Sequence, residues 1–342
     1  MSISIPPITA DLQPAKTLVR ALYSEMATAT PDTVAGILSR YMTADCHWYG
    51  MHPFHEQTGP AAIARSFWVP FLTAFSSVQR REDIFFAGLN EIDGFQGQWT
   101  CSMGHLMGLF DHAFLGIAPT RKIAMVRYAE FHHVRDGKIV ESALFVDLIH
   151  LMLQAGLNPL RAEQTGAHLV QPGPLTHDGL QLTPGDARAS QITLARINNM
   201  IGSIDHANAA DKPPHPRDEL AEDWNRDMLW WGPAGIGATY TIDRYIEQHQ
   251  GPFRTHIKDR AFNGHLCRMA EGMYGGFFGW PNLTLTNGGS FMGFPASDVR
   301  ADMRVVDIYR REGDRLAENW IFIDILHFLN MQGHDILAEI SR

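Results

Sequence analysis

VESALFVDLIHLMLQAG runs from Val140 to Gly156, and AENWIFIDILHFLNMQG runs from Ala317 to Gly333. The two stretches share the glutamate (Glu141, Glu318), the aspartate (Asp147, Asp324), the histidine (His150, His327) and the closing glycine, and the match extends without a gap back to Arg127/Arg304 and Glu130/Asp307. Further upstream HWYG (His47–Gly50) answers LWWG (Leu229–Gly232), and LGIAPT answers MGFPAS, with a change of length between. A period this long means two copies of one domain. Residues 10–160 form the first copy and 189–342 the second, joined by a linker over 161–188 that is rich in glycine, proline and polar residues. Leu169, Val170, Leu180 and Leu182 are the linker's candidates for docking on a domain surface.

Each copy opens with helical periodicity and closes with strands. AKTLVRALYSEM carries apolar residues at three-and-four spacing, and Thr30-Pro31 is a cap followed by proline in the first turn of a second helix. KIAMVRYAEFHHV, RDGK and IVESALFVD then read as a long hairpin about Asp136-Gly137, repeated as ADMRVVDIYRR, EGDR and LAENWIFID. Helices first and antiparallel strands last predict an α+β class: two tandem cone-shaped α+β barrel domains, each a curved, mostly antiparallel sheet with helices packed on one face.

A regular hairpin through Asp136-Gly137 sets His132 opposite Glu141 and Val126 opposite Asp147. Alternation then groups Val126, Tyr128, Glu130 and His132 with Glu141, Ala143, Phe145 and Asp147, and in the second copy Met303, Val305, Asp307 and Tyr309 with Glu318, Trp320, Phe322 and Asp324. A face that mixes carboxylates with aromatics suits a ligand cavity. A one-residue slip reverses the assignment. Asp147 and Asp324 also stand immediately before a short helix, where an aspartate caps backbone N–H groups, so cap and cavity acid are both open readings.

The stretch GHLMGLFDHAFLGIAPTRKIAMVRYAEFHHVRDGKIVE, followed by Asp147, resembles the SnoaL-like polyketide cyclases, or ester cyclases, of the nuclear transport factor 2-like superfamily. FMGFPASDVRADMRVVDIYRREGDRLAENWIFID is similar. Glu318, Trp320 and Asp324 match the family's Glu-x-Trp ending with its aspartate four residues on, whereas Ala143 replaces the tryptophan in the first copy. The resemblance implies cofactor-free chemistry in which a buried aspartate is general acid and base for an intramolecular aldol-type ring closure of a polyketide or ester. Asp147 and Asp324 are then the expected catalytic residues, assisted by His132 and Tyr309, with Glu141, Glu318, Trp320, Tyr128, Tyr49, Trp231 and His105 as expected substrate contacts. The fold also hosts isomerases, dehydratases and plain binding modules for small apolar ligands. The single-domain relatives commonly pair, so the two copies are expected to form an internal pseudo-dimer, with a further homodimer left open.

Composition narrows the partners. A net charge of -9, without lysine and arginine clusters, argues against a nucleic-acid surface and for a small hydrophobic carbonyl substrate. The opening MSISIPPITADLQPAK lacks a basic segment followed by an apolar core, and no apolar run is long enough for a bilayer, so a cytoplasmic protein is expected. Cys46, Cys101 and Cys267 lie far apart without CxxC spacing. His47, His52 and His55 are close in sequence but fit no metal motif, so neither metal nor cofactor is expected. Trp48/Trp230 and Tyr49/Trp231 hold matching positions as core residues, one of each pair being open to ligand. MYGGFFGWPNLTLTNGGSFMG lacks a phosphate-loop or dinucleotide fingerprint, and no Gly-x-Ser-x-Gly elbow occurs.

Overall fold

A computed structural model describes residues 10–160, 171–209 and 215–341. The chain forms two mixed sheets, one per sequence copy. The first contains β1 (Met42–Gly50), β2 (Gln57–Thr58), β3 (Phe75–Leu89), β4 (Gln98–Phe110), β5 (Ile123–Arg135) and β6 (Lys138–Val146), in the order β2-β1-β6-β5-β4-β3. The second contains β7 (Trp224–Trp231), β8 (Ala238–Tyr240), β9 (Ile257–Phe262), β10 (Cys267–Glu271), β11 (Tyr274–Asn287), β12 (Arg300–Glu312) and β13 (Arg315–Ile323), in the order β10-β11-β12-β13-β7-β8. Here β9 also pairs with β11, so β9 and β10 together take the place of the unbroken β3. Helices fill the concave side of each sheet. Helix Gln13–Met26 opens with Pro14 in its first turn and buries Ala15, Val19, Leu22 and Tyr23, as its spacing predicts. A π-helical turn occurs at matching places, Ala64–Trp68 and Ile246–Gln250.

The hairpins turn where expected. Asp136 and Gly137 both have positive φ, 50° and 71°, and Arg135 pairs with Lys138. The faces beyond the turn differ from those of a regular hairpin, because each copy has a β-bulge: Val134 pairs with Ile139 but His133 with Glu141, leaving Val140 as the extra residue. In the second copy Arg311 pairs with Leu316 and Arg310 with Glu318, leaving Ala317. His132 therefore lies opposite Ser142, and Asp307 and Tyr309 share their face with Ile321 and Asn319 rather than with Glu318 and Trp320. The one-residue slip turns Glu141, Ala143, Phe145, Glu318, Trp320 and Phe322 to the convex side.

The two convex sides pack on each other. Phe86, Phe131 and Phe145 of the first sheet bury against Phe278, Trp320 and Phe322 of the second. The cones are thus joined back to back, with their interiors facing apart. The described part of the linker runs along this seam and is held by its backbone: Phe85 N–H donates to the Gly179 carbonyl and Gln181 N–H to that of Phe85, while Trp320 Nε1 donates to the Pro172 carbonyl. Leu180 and Leu182 stay exposed, and Leu169 and Val170 lie outside the described residues. Among the described residues no helix is long and apolar enough to cross a membrane, and no cluster of three histidine, cysteine, aspartate or glutamate side chains could hold a metal ion.

Candidate active site

A cavity of about 300 Å³ lies inside the second cone. β12 is bounded by a tight turn and alternates strictly, so Val305, Asp307 and Tyr309 all point inward, and β13 adds Asn319 and Ile321 beside them. β7 contributes Trp230, whose ring stacks on His249 at 4.0 Å from the π-helical turn. Tyr245, Gln250 and Phe253 complete the helical wall. The outer end is formed by exposed Phe262 and Asp205 and half-buried Arg260. It opens where β9 and β10 are interrupted, at residues 263–266, a break that β3 does not have.

Asp307 is the chemically distinctive group. It is 7% exposed, accepts a hydrogen bond from Asn319 Nδ2 at 3.1 Å, and has no cation paired to it among the described residues. Burial pushes its carboxyl up to about 7, with Asn319 and Tyr309 holding the shift back. Burial likewise moves the Tyr309 hydroxyl well above its ordinary value, so it stays protonated, and takes His249 down to about 3, so its ring stays neutral. Arg254, also on the wall, is neutralised by Glu219 through contacts of 3.0 and 2.7 Å. A carboxylate that titrates near neutrality beside a protonated phenol can exchange a proton with a bound carbon acid.

The first cone has the same plan but a buried ion pair in its interior. Glu130 and His132 take the places of Asp307 and Tyr309. Arg80 enters from β3, lies 3.8 Å from the Tyr23 ring centroid and 4.5 Å from that of Tyr128, and meets Glu130 at 2.9 Å. Burial alone would raise the Glu130 carboxyl, but the charge of Arg80 and the neighbouring His132 bring it down to about 2. Tyr23 Oη meets His132 Nε2 at 3.2 Å, and Tyr128 Oη meets Ser102 Oγ at 2.8 Å. Counting from the strand starts at Phe75 and Ile257, Phe262 stands where Arg80 does.

Asp147 and Asp324 lie at the seam between the domains. Asp147 Oδ1 accepts the His150 N–H at 3.0 Å as a helix cap, and Oδ2 accepts the Ala234 N–H of the other domain at 2.8 Å, with Arg127 at 3.7 Å. Asp324 repeats this with His327 N–H at 3.2 Å, His52 N–H of the other domain at 2.9 Å and Arg304 at 3.3 Å. Burial raises Asp324 to about 6 despite these donors. Glu318 is held by Arg310 Nε at 2.5 Å and by the Leu175 N–H of the linker. Glu141 joins His133 at 3.0 Å and Tyr49 at 3.3 Å, while His105 lies 3.6 Å from Asp83. Trp231 packs at the seam, and its carbonyl accepts from Arg127. His47 pairs with Glu56, and His52 and His55 meet edge to face.

Of the residues the sequence singles out, the second cavity therefore holds Tyr309, with Val305 and Asp307 from the same strand face and Trp230 rather than Trp231. The bulge sends Glu318 and Trp320 to the other side of the sheet, and Tyr128 and His132 lie inside the first cone around Arg80. His249 and Gln250 have no signature in the sequence, because a π-helical turn aims them, and Tyr245 is set by the short helix Thr241–Tyr245 that leads into it. Asp307 had one: an acid alternating with Val305 and Tyr309 in an otherwise apolar strand.

Residues 17–155 match the family model described as SnoaL-like polyketide cyclase. No curated protein matches the chain. Among solved structures, one described as a SnoaL-like polyketide cyclase from Jannaschia sp. CCS1 is 18% identical, over 44% of this chain and 95% of its own, with a TM-score of 0.33. An NTF2-like protein from Burkholderia xenovorans LB400 is 10% identical, over 42% of this chain and 97% of its own, at a TM-score of 0.33. Another from Burkholderia thailandensis E264 is 13% identical, over 41% and 95%, at 0.32. The chain thus carries a SnoaL-like polyketide cyclase family match over residues 17–155, and its second half repeats the architecture of that segment.

Proposed function

We propose that the second domain is the catalytic half, performing cofactor-independent acid/base chemistry on a small, largely apolar carbonyl compound. Asp307 removes a proton from the carbon next to a carbonyl, and Tyr309 donates a hydrogen bond to the oxygen as the enolate forms. In an intramolecular aldol closure that carbon attacks a second carbonyl of the same molecule, and the proton on Asp307 passes to the new alkoxide. No net proton is consumed. The cavity supplies orientation and exclusion of water, the two factors such a reaction needs beyond a base of matched pKa. The observation that carries this reading is a buried aspartate, raised to about 7 and paired with no cation, facing an aromatic-lined cavity. The first domain serves as structural partner, its interior occupied by Arg80.

Deuterium exchange at the carbon between the carbonyls of an aryl 1,3-diketone, followed by proton NMR, tests the reading without a known substrate. Wild-type protein should accelerate exchange, with a rate that climbs as pH passes through about 7. Asp307→Asn should lose on the order of 10²-fold or more of that acceleration. A double variant Asp147→Asn/Asp324→Asn that loses exchange while remaining folded, with Asp307→Asn unaffected, would return the chemistry to the seam.

A further inference from the structure

The bulged edge strand of each cone carries an arginine inward, but at different depths. In β3 the bulge is marked by Ser77 at φ 54°, and in β9 by Asp259 at φ 51°, matching positions counted from the strand starts. A non-glycine residue in the left-handed region is uncommon, and here it shifts the alternation: Ile257 points inward, and so do Arg260 and Phe262 rather than Asp259 and Ala261. In the first cone the arginine sits two residues further along, at Arg80, and is claimed by Glu130. In the second it sits at Arg260, on the cavity wall near the mouth, and among the described residues no carboxylate reaches it. Arg254 nearby is taken by Glu219, and Asp205 is an exposed acid at the same mouth. Two buried polar atoms on that wall, Gln250 Oε1 and His265 Nδ1, also lack partners, although both side chains are at least nine-tenths buried. A half-buried guanidinium without a counter-ion, over an apolar chamber, is arranged for an anion carried by the ligand.

Resting on the proposed carbonyl chemistry, we infer that Arg260 binds a carboxylate of the substrate, so that the cavity takes an aromatic carbonyl compound bearing a free acid rather than its ester. The ring system lies against Phe277 and Trp224, and the acid faces the mouth. Trp224 and Trp230 line the cavity, so quenching of tryptophan fluorescence reports occupancy directly. Titration of wild-type protein with 2-naphthoate and with methyl 2-naphthoate should give tighter binding of the acid, by about tenfold. Arg260→Gln should erase the preference while leaving ester binding in place, and Arg260→Lys should restore part of it. Equal affinities in wild type, saturable binding of neither compound, or a preference that survives Arg260→Gln would overturn the inference. The readout is binding alone, so it is separable from the catalytic reading: acid selectivity through Arg260 with no Asp307-dependent exchange leaves this inference standing and removes that one.

Discussion

Two aspartates on the second copy have raised carboxyls, and their surroundings assign them different work. Asp324 accepts two backbone N–H groups and meets an arginine at the domain seam, whereas Asp307 has the neutral Asn319 amide and Tyr309 hydroxyl beside it and open cavity before it. Asp307 is protonated more readily in the folded chain than in the unfolded one. Between its unfolded value near 4 and its folded value of about 7 the native state binds the extra proton, so this residue costs increasing stability as pH rises through that window, and the full cost is present above it. Asp307→Asn should therefore stabilise the protein at pH 8, by on the order of a few kcal/mol, and change it little at pH 4. Denaturant melts at the two pH values check this; a variant no more stable at pH 8 than at pH 4, relative to wild type, would contradict it. Arg80 predicts the opposite sensitivity. Arg80→Met leaves Glu130 buried without its cation, a loss of about 3–5 kcal/mol, and adding Glu130→Gln should recover much of it. A melt in which the second change brings no recovery would mean that the arginine acts by packing alone.

At the scale of elements, the decisive feature is the bulge that follows each hairpin turn. The repeat, the helices, the Asp-Gly turn and the α+β class could be read from the chain, because each rests on local spacing or turn chemistry. The inward face could not. A single unpaired residue, Val140 or Ala317, reverses every side chain beyond it, and neither carries the glycine that would have marked the irregularity. The same limit applies to the edge strand, where Ser77 and Asp259 take positive φ without a glycine. The candidate site was half legible for this reason: Tyr309 and Asp307 share a face under any register, while their partners from β13 depend on the bulge. Deleting Ala317 removes the extra residue and leaves Leu316 opposite Arg311 and Glu318 opposite Arg310, so Glu318 and Trp320 should keep their side of the sheet. The expected outcome is a cooperative melt by circular dichroism with Asp307-dependent exchange retained, and loss of cooperative unfolding would mean that the kink of the bulge is itself needed.

Across the whole molecule, two copies of one fold differ in their interiors while sharing a reciprocal junction. Each domain offers an aspartate that caps its own helix and receives a backbone N–H from the other, at Asp147 with Ala234 and at Asp324 with His52. The convex faces add a shared apolar layer, so neither sheet is buried on both sides without its neighbour. The halves should unfold together, and scanning calorimetry should show one transition; two resolved transitions would mean that the seam couples them weakly. Asp147→Asn/Asp324→Asn should lower that transition, each site costing about 1–3 kcal/mol, with Asp307-dependent exchange retained in the folded fraction. The division of labour rests on one ionisation that can be seen directly. Carbon-13 NMR of aspartate carboxyls, titrated from pH 3 to 9 in wild type and Asp307→Asn, should reveal a resonance that titrates at about 7 and is missing from the variant. If the resonance lost in the variant instead titrates near 4, Asp307 is an ordinary solvated acid, and the second cavity has no base suited to the chemistry assigned to it.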